Sequence, residues 1–222
     1  MREIDFHFDI ISPFARVALA RLGELPGDVI VRPVPTLLGP VLAHWGQRGP
    51  AEIAPKRLHT YRLSCFLGEK YAVPVRFPPR HPFNPLAAMR LLAGCDADLA
   101  MVGRAFDFVF GQARAPDNPD ELAAFAAHIG VDPALASYQP AKDRLRANTD
   151  MAIARGVFGV PTFVVPTDDD GIELFWGVDA FDMLLMWLAE GGAMYARAPY
   201  TGLEAVETGV ARKAAGGKGV AE

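Results

Sequence analysis

The sequence predicts an α/β protein in which a β-α-β unit and a β-β-α unit are separated by a long helical stretch. Three observations carry this. Asp5-Phe-His-Phe-Asp-Ile-Ile-Ser12-Pro13-Phe14 has a strand's alternation running into a helix start. Gly156-Val-Phe-Gly-Val160-Pro161-Thr162-Phe-Val-Val165 opens from a turn into an apolar strand. Between them, apolar residues recur at i, i+3 and i+4 spacing over much of residues 56–155.

Taken in order, Ile4, Phe6, Phe8 and Ile10 alternate with polar residues and form the first strand. Ser12 then offers an N-cap and Pro13 a preorganised first helical position. One hydroxyl therefore stands at the positive end of a helix, where free N–H groups favour a thiolate, carboxylate or phosphate. Phe14, Val17, Ala18 and Leu22 continue that helix, which ends near Gly23 before the Leu25-Pro26-Gly27 turn. Residues 28–33 form a second strand, parallel to the first through a right-handed crossover. Residues 36–49 mix Gly, Pro and scattered apolars and read as a loop or irregular segment. Helices are expected over 56–71, 85–94, 98–113, 121–130 and 139–155, with 73–82 held extended by its prolines. Pro161 at the mouth of the third strand cannot donate to a ladder and is a site for a cis peptide. Strands at 162–165 and 173–176 flank Thr167-Asp-Asp-Asp-Gly171, a hairpin tip, and a helix over 180–190 closes the unit before Gly191-Gly192.

The expected organisation is one α/β domain made of 1–35 and 156–200, a loop and helical insertion over 36–155, and a mobile tail over 201–222. With 51% apolar and 22% charged residues the 222-residue chain is globular in composition. A formal charge of −4 gives no electrostatic reason for nucleic acid or an anionic membrane as partner. No apolar run reaches the length of a membrane span, and Met1-Arg-Glu-Ile-Asp lacks the regions of a signal peptide, so the expectation is a cytoplasmic protein. Cys65 and Cys95 have no Cys-x-x-Cys or metal-ligand spacing and read as buried thiols, with no metal site expected. None of His7, His44, His59, His81 and His128 has a partner at a telling spacing.

The order of elements, with a reactive-group position at the first helix start and Val-Pro before the third strand, resembles the thioredoxin fold with a helical insertion. More narrowly, Asp9-Ile-Ile-Ser12-Pro13-Phe14, Pro50-Ala-Glu-Ile-Ala-Pro55-Lys56-Arg57, Phe83-Asn84 with Ala88-Met-Arg90, Gly156 to Phe163, and Phe175-Trp-Gly177-Val-Asp179 are similar to the 2-hydroxychromene-2-carboxylate isomerases and their relatives, the kappa-class glutathione transferases. Related disulfide oxidoreductases have Cys-x-x-Cys where this chain has Ser12-Pro13-Phe14-Ala15, so dithiol exchange there has no nucleophile. The resemblance implies glutathione as cofactor, with the Ser12 hydroxyl donating to its sulfur. Val160, before Pro161, would pair with the cysteinyl part. Asp179, in the family's Gly-x-Asp with Gly177, would accept from the γ-glutamyl ammonium. Lys56 would meet a carboxylate of glutathione or of the substrate, and Gln47 would donate an amide. Trp45, Phe83 and Trp176 read equally as an aromatic pocket for a flat substrate and as core packing, with Asn84 a further substrate-binding candidate.

Two departures stand out: Gln47 replaces a common Asn, and Ala180 replaces the Arg that usually follows the aspartate. The implied activity interconverts 2-hydroxychromene-2-carboxylate and trans-o-hydroxybenzylidenepyruvate in naphthalene-type catabolism, by a homodimer. A kappa-type transferase that consumes glutathione, and a binding protein without turnover, are the competing readings.

Overall fold

The computed structural model describes residues 1–207 and 209 of the chain. Residues 1–185 make one compact unit and the chain from 186 on a second. Strand β1 (Arg2–Phe8) leads through Ser12 into helix α1 (Pro13–Ala20), and β2 (Val29–Pro35) returns parallel to β1. Far along the chain, β3 (Thr162–Pro166) and β4 (Ile172–Trp176) form the expected hairpin, with β3 antiparallel to β1. The sheet order is β2-β1-β3-β4, which leaves Pro33 and Pro35 on an edge strand, where a missing N–H costs no ladder bond on the open side.

Six helices fill the middle of the chain: α2 (Leu38–His44), α3 (Ala54–Lys70), α4 (Leu86–Gly94), α5 (Leu99–Phe106), α6 (Pro119–Ile129) and α7 (Gln139–Ala154). Helices α4, α5 and α7 pack on β2, and α1 rests on α3 and α5. Helix α8 (Phe181–Glu190) follows the hairpin. In the second unit Arg197 Nη1 pairs with Glu190 Oε2 at 2.6 Å, and the Tyr195 and Tyr200 rings lie 5.8 Å apart. The mobile end expected over 201–222 falls, at 208 and from 210 on, outside the described residues.

Three local expectations are corrected. Residues 36–49 are not irregular, because Leu38–His44 is helical. Its N-cap, Leu37, has no side-chain acceptor; the Leu38 N–H is instead taken by Asp9 Oδ2 at 2.9 Å, a cap from 29 residues away that no local pattern shows. Pro40 is tolerated because it lies in the first turn, where an N–H has no intrahelical partner. The helix expected over 98–113 breaks after Phe106 into a π-helical turn, Asp107–Gly111. The Gln112 N–H bonds Asp107 O at 2.8 Å and its side-chain amide bonds Asp107 Oδ2 at 3.0 Å, so one aspartate draws in the fifth residue on. Cys65 and Cys95 are unpaired, as expected, but only partly buried.

The alternation along β1 sorts two kinds of buried surface. Phe6 stacks on Phe163 at 5.1 Å, Phe163 meets Phe181 edge-on at 5.4 Å, and Phe8 meets Phe106 of α5 at 5.9 Å. These rings join the sheet to both flanking helices, and aromatic contacts of this kind add to the burial that dominates folding. The alternating polar residues are equally buried. Asp5 is bonded by Arg32 Nε at 2.7 Å and Arg155 Nη1 at 2.8 Å. Burial alone would raise its carboxyl, and these guanidinium groups hold it below its ordinary value instead.

His7 is fully buried, with Nδ1 2.9 Å from Thr36 Oγ1. The Thr36 hydroxyl gives its one proton to Val34 O, so His7 Nδ1 must donate and Nε2 is a bare acceptor with no hydrogen-bond partner. Burial lowers the ring's pKa from 6.5 to about 4, outweighing the nearby Asp5 charge. Unfolded chain therefore binds the extra proton between pH 6.5 and about 4, and the contribution of His7 to stability falls as pH drops through that window, by on the order of 3 kcal/mol. In urea unfolding, the stability of wild type relative to His7→Gln is expected to fall across this range; a constant difference between the two would remove His7 from the acid response.

Candidate active site

Where β1 ends, the chain turns through Asp9, Ile10 and Ile11 to Ser12, the N-cap of α1. Ser12 Oγ accepts from the Ala15 N–H at 3.3 Å and donates to Val160 O at 3.3 Å, across 148 residues of sequence. Both bonds are long, so the hydroxyl proton can turn to a better acceptor at little cost. The Val160–Pro161 peptide is cis, and Pro161 O accepts from Gly177 N–H at 2.9 Å, which ties the end of β4 to the same point. Pro13 has no N–H, so Phe14 presents the first backbone donor of α1, and Phe14 lines the cavity that opens here.

That cavity has a volume of about 560 Å³ and an apolar lining. It brings together Ser12, Gln47, Lys56, Phe83 and Val160 among the residues singled out from sequence, and Trp176 with them. Gly159 lies against Trp176: a Cβ there would fall 2.5 Å from the indole Nε1, so only glycine lets this ring cover the segment before Val160. Phe158 packs at 5.1 Å on the same indole.

Five expected site residues lie outside the lining, among them Pro161, whose cis peptide and carbonyl are described above. Trp45 is a strut: its indole donates to Val157 O at 2.9 Å, fastening the end of α2 to the segment before β3. Asn84 Oδ1 accepts from the Leu86 N–H at 3.1 Å and serves the start of α4. Gly177 follows Trp176 of the lining and its N–H bonds Pro161 O, and Asp179 is exposed two residues further on. Gly177 has φ 89°, and its missing Cβ leaves the room that the Asp179 carboxylate uses.

Sequence reasoning assigned no role to Asp9, Arg48, Glu52 or His81, all of which line the cavity. His81 is the clearest omission. Its Nε2 is 2.8 Å from Ile11 O and must donate there; Nδ1 is 2.9 Å from the Tyr61 hydroxyl, which also lies 2.7 Å from His81 O. Tyr61 stacks on Phe77 at 4.1 Å, and both rings meet His81 edge-on. Burial holds the imidazole pKa below its ordinary value against the opposing bond to Ile11, so the ring is a neutral donor. It fixes the carbonyl next to Ser12 rather than acting as a free base. Only a lone histidine in a proline-rich crossing, Pro78 to Pro82, marked it in sequence.

Asp9 is 1% exposed. Oδ1 accepts from Ile11 N–H at 3.1 Å and Oδ2 from Leu38 N–H at 2.9 Å. Burial raises its pKa from 3.8 to about 6, with the two N–H bonds pulling the other way.

The chain matches the family model of the DSBA-like thioredoxin domain over residues 3–189. It is 33% identical over 201 residues to a 2-hydroxychromene-2-carboxylate isomerase of Sphingobium xenophagum, covering 85% of this chain and 99% of the relative. A glutathione S-transferase kappa 1 of Caenorhabditis elegans is 23% identical over 200 residues, 82% of this chain and 88% of the relative. A solved structure of a 2-hydroxychromene-2-carboxylate isomerase superposes with a TM-score of 0.72 at 28% identity, covering 84% of this chain and 94% of that one.

Replacing His81 by Phe keeps an aromatic ring in the cluster but leaves Ile11 O without its donor. His81→Phe is expected to lower stability by about 1–3 kcal/mol in chemical denaturation, the cost of a buried acceptor left unpaired. An unchanged midpoint and slope would show that the bond holds nothing in place.

Proposed function

Since the chain belongs to the DSBA-like thioredoxin family and, within it, to the 2-hydroxychromene-2-carboxylate isomerases, we propose that it is a glutathione-dependent isomerase of an aromatic ring-cleavage product. The homodimer and cytoplasmic location expected from sequence are part of the same proposal, the homodimer resting on the family resemblance. Among the described residues no helix is long and apolar enough to cross a membrane.

The observation that carries this reading is a thiol site without a protein thiol. Ser12 and Ala15 occupy both positions of a Cys-x-x-Cys, while Cys65 and Cys95 lie on α3 and at the end of α4. The remaining parts favour a sulfur anion: a hydroxyl that can donate, a helix N-terminus, and a backbone stretch at Val160 that can pair with an extended peptide. The donor set also suits a tripeptide with two carboxylates. Gln47, Arg48 and Lys56 line the cavity, and Asp179, exposed three residues after β4, is suited to an ammonium group.

Bound there, glutathione supplies the nucleophile that adds to the conjugated alkene of the ring-opened substrate, frees the former double bond to rotate, and leaves by elimination. The protein's part is binding and charge. Ser12 turns its hydroxyl from Val160 O to the sulfur and, with the Phe14 N–H and the positive end of α1, stabilises negative charge at that point. Releasing Val160 O frees that carbonyl for the ligand backbone. Phe83, Phe158 and Trp176 present flat apolar surface to the substrate ring, and Lys56 or Arg48 offers a cation to its carboxylate.

Reduced glutathione is expected to be required for isomerisation of 2-hydroxychromene-2-carboxylate and to be recovered unchanged, and Ser12→Ala is expected to lower the rate at neutral pH by ten-fold or more, or about 1.4 kcal/mol. Ser12→Ala also loses the N-cap, at about 1 kcal/mol of stability, so the rate comparison is made at a temperature where both proteins are folded. Accumulation of a glutathione conjugate would assign a transferase instead, and an unaltered rate in Ser12→Ala would take the hydroxyl out of the mechanism.

A further inference from the structure

We propose that Asp9 is the proton acceptor of the cavity, taking up the proton that a bound thiol gives up beside Ser12. This rests on the thiol-site reading above and assigns a part of its chemistry to a residue the family resemblance left without a role.

The placement carries the argument. Asp9 stands three residues before Ser12, lines the same cavity and is 1% exposed. Its hydrogen-bond partners are two backbone N–H groups, of Ile11 and Leu38, and no cationic side chain pairs with it among the described residues. The neighbouring charges are accounted for elsewhere. Asp5, on the same run of alternating polar residues, is neutralised by Arg32 and Arg155, and His7 bonds Thr36. Across the cavity, His81 is held by Ile11 O and Tyr61, Arg48 donates to Glu52 O at 3.3 Å, Glu52 accepts from Gly49 N–H at 2.7 Å, and Lys56 stands at the start of α3.

A buried carboxylate with only neutral donors around it is poised to accept a proton, and burial puts its pKa at about 6, within reach of neutrality. A thiolate formed in the same low-dielectric space adds a like charge, which raises the carboxyl further. With both groups in one cavity, the S–H bond breaks as the Asp9 O–H bond forms. The complex gains no net charge and passes no proton to solvent. The same proton is available to restore the S–H bond when turnover ends. A protonated Asp9 still offers oxygen to one or both N–H groups, so the floor of the cavity keeps its shape.

The test is isothermal titration of reduced glutathione into the protein in buffers of different ionisation enthalpy, which counts protons released, with ultraviolet absorbance to detect bound thiolate. Wild type is expected to show the thiolate band with close to no proton released, and Asp9→Asn to release about one proton per thiolate formed. Thiolate formation in wild type with a full proton released overturns the inference, as does binding of glutathione without any thiolate band. Absence of binding overturns both the inference and the thiol-site reading, so the two failures are told apart. If Asp9→Asn does not fold, the wild-type proton count alone decides.

Discussion

The hydrogen bond from Ser12 Oγ to Val160 O joins the two halves of the α/β layer at the cavity. It exists because three things coincide. Strand β1 stops at Phe8, so that Ser12 falls at a helix start. Strand β3 begins at Thr162, so that Val160 precedes the ladder. The β1–β3 pairing brings these ends side by side, with His7 opposite Thr162. Shift either strand by one residue and the side chains exchange faces, which would send Phe6 and Phe163 out of their stack and move the hydroxyl off the helix axis.

A second constraint follows from covering both faces of β1. The buried polar residues of β1 and the residue that follows it are each handled differently: Asp5 by two guanidinium groups, His7 by one hydroxyl and an unpartnered nitrogen, Asp9 by backbone N–H alone. Burying a charge without a cation is unfavourable in a core. At Asp9 that cost falls beside the helix start where, on the proposed reading, a thiol is ionised. Meanwhile Asp9 caps α2 across space, so the wall carrying Leu38, Gly39 and Leu42 is positioned by the residue at the cavity floor.

Much of this was legible from residue pattern. Alternation at Ile4, Phe6 and Phe8, the Ser12-Pro13 start and the hairpin around Asp168 to Asp170 are local signals, and the strands and helices formed where they pointed. Ser12, Val160 and Lys56 could be brought to one site only through the family resemblance, and the structure does place them around one cavity. What stayed hidden depended on distant partners. Helix α2 is capped by a side chain on another element, His81 gains its role only when the proline-rich crossing folds back on Ile11, and Trp45 turned outward because Val157 O waits for its indole. None of these contacts has a sequence period to betray it.

The central claim is that Ser12 and the Val160 backbone form one site for a thiol-bearing peptide. The most direct measurement is a titration of isotopically labelled protein with reduced glutathione followed by backbone amide resonances. The account predicts saturable shifts centred on Phe14, Ala15, Val160 and Gly177, with lesser ones at Gln47 and Lys56. Shifts confined to other surfaces, or no shifts at all, would contradict it.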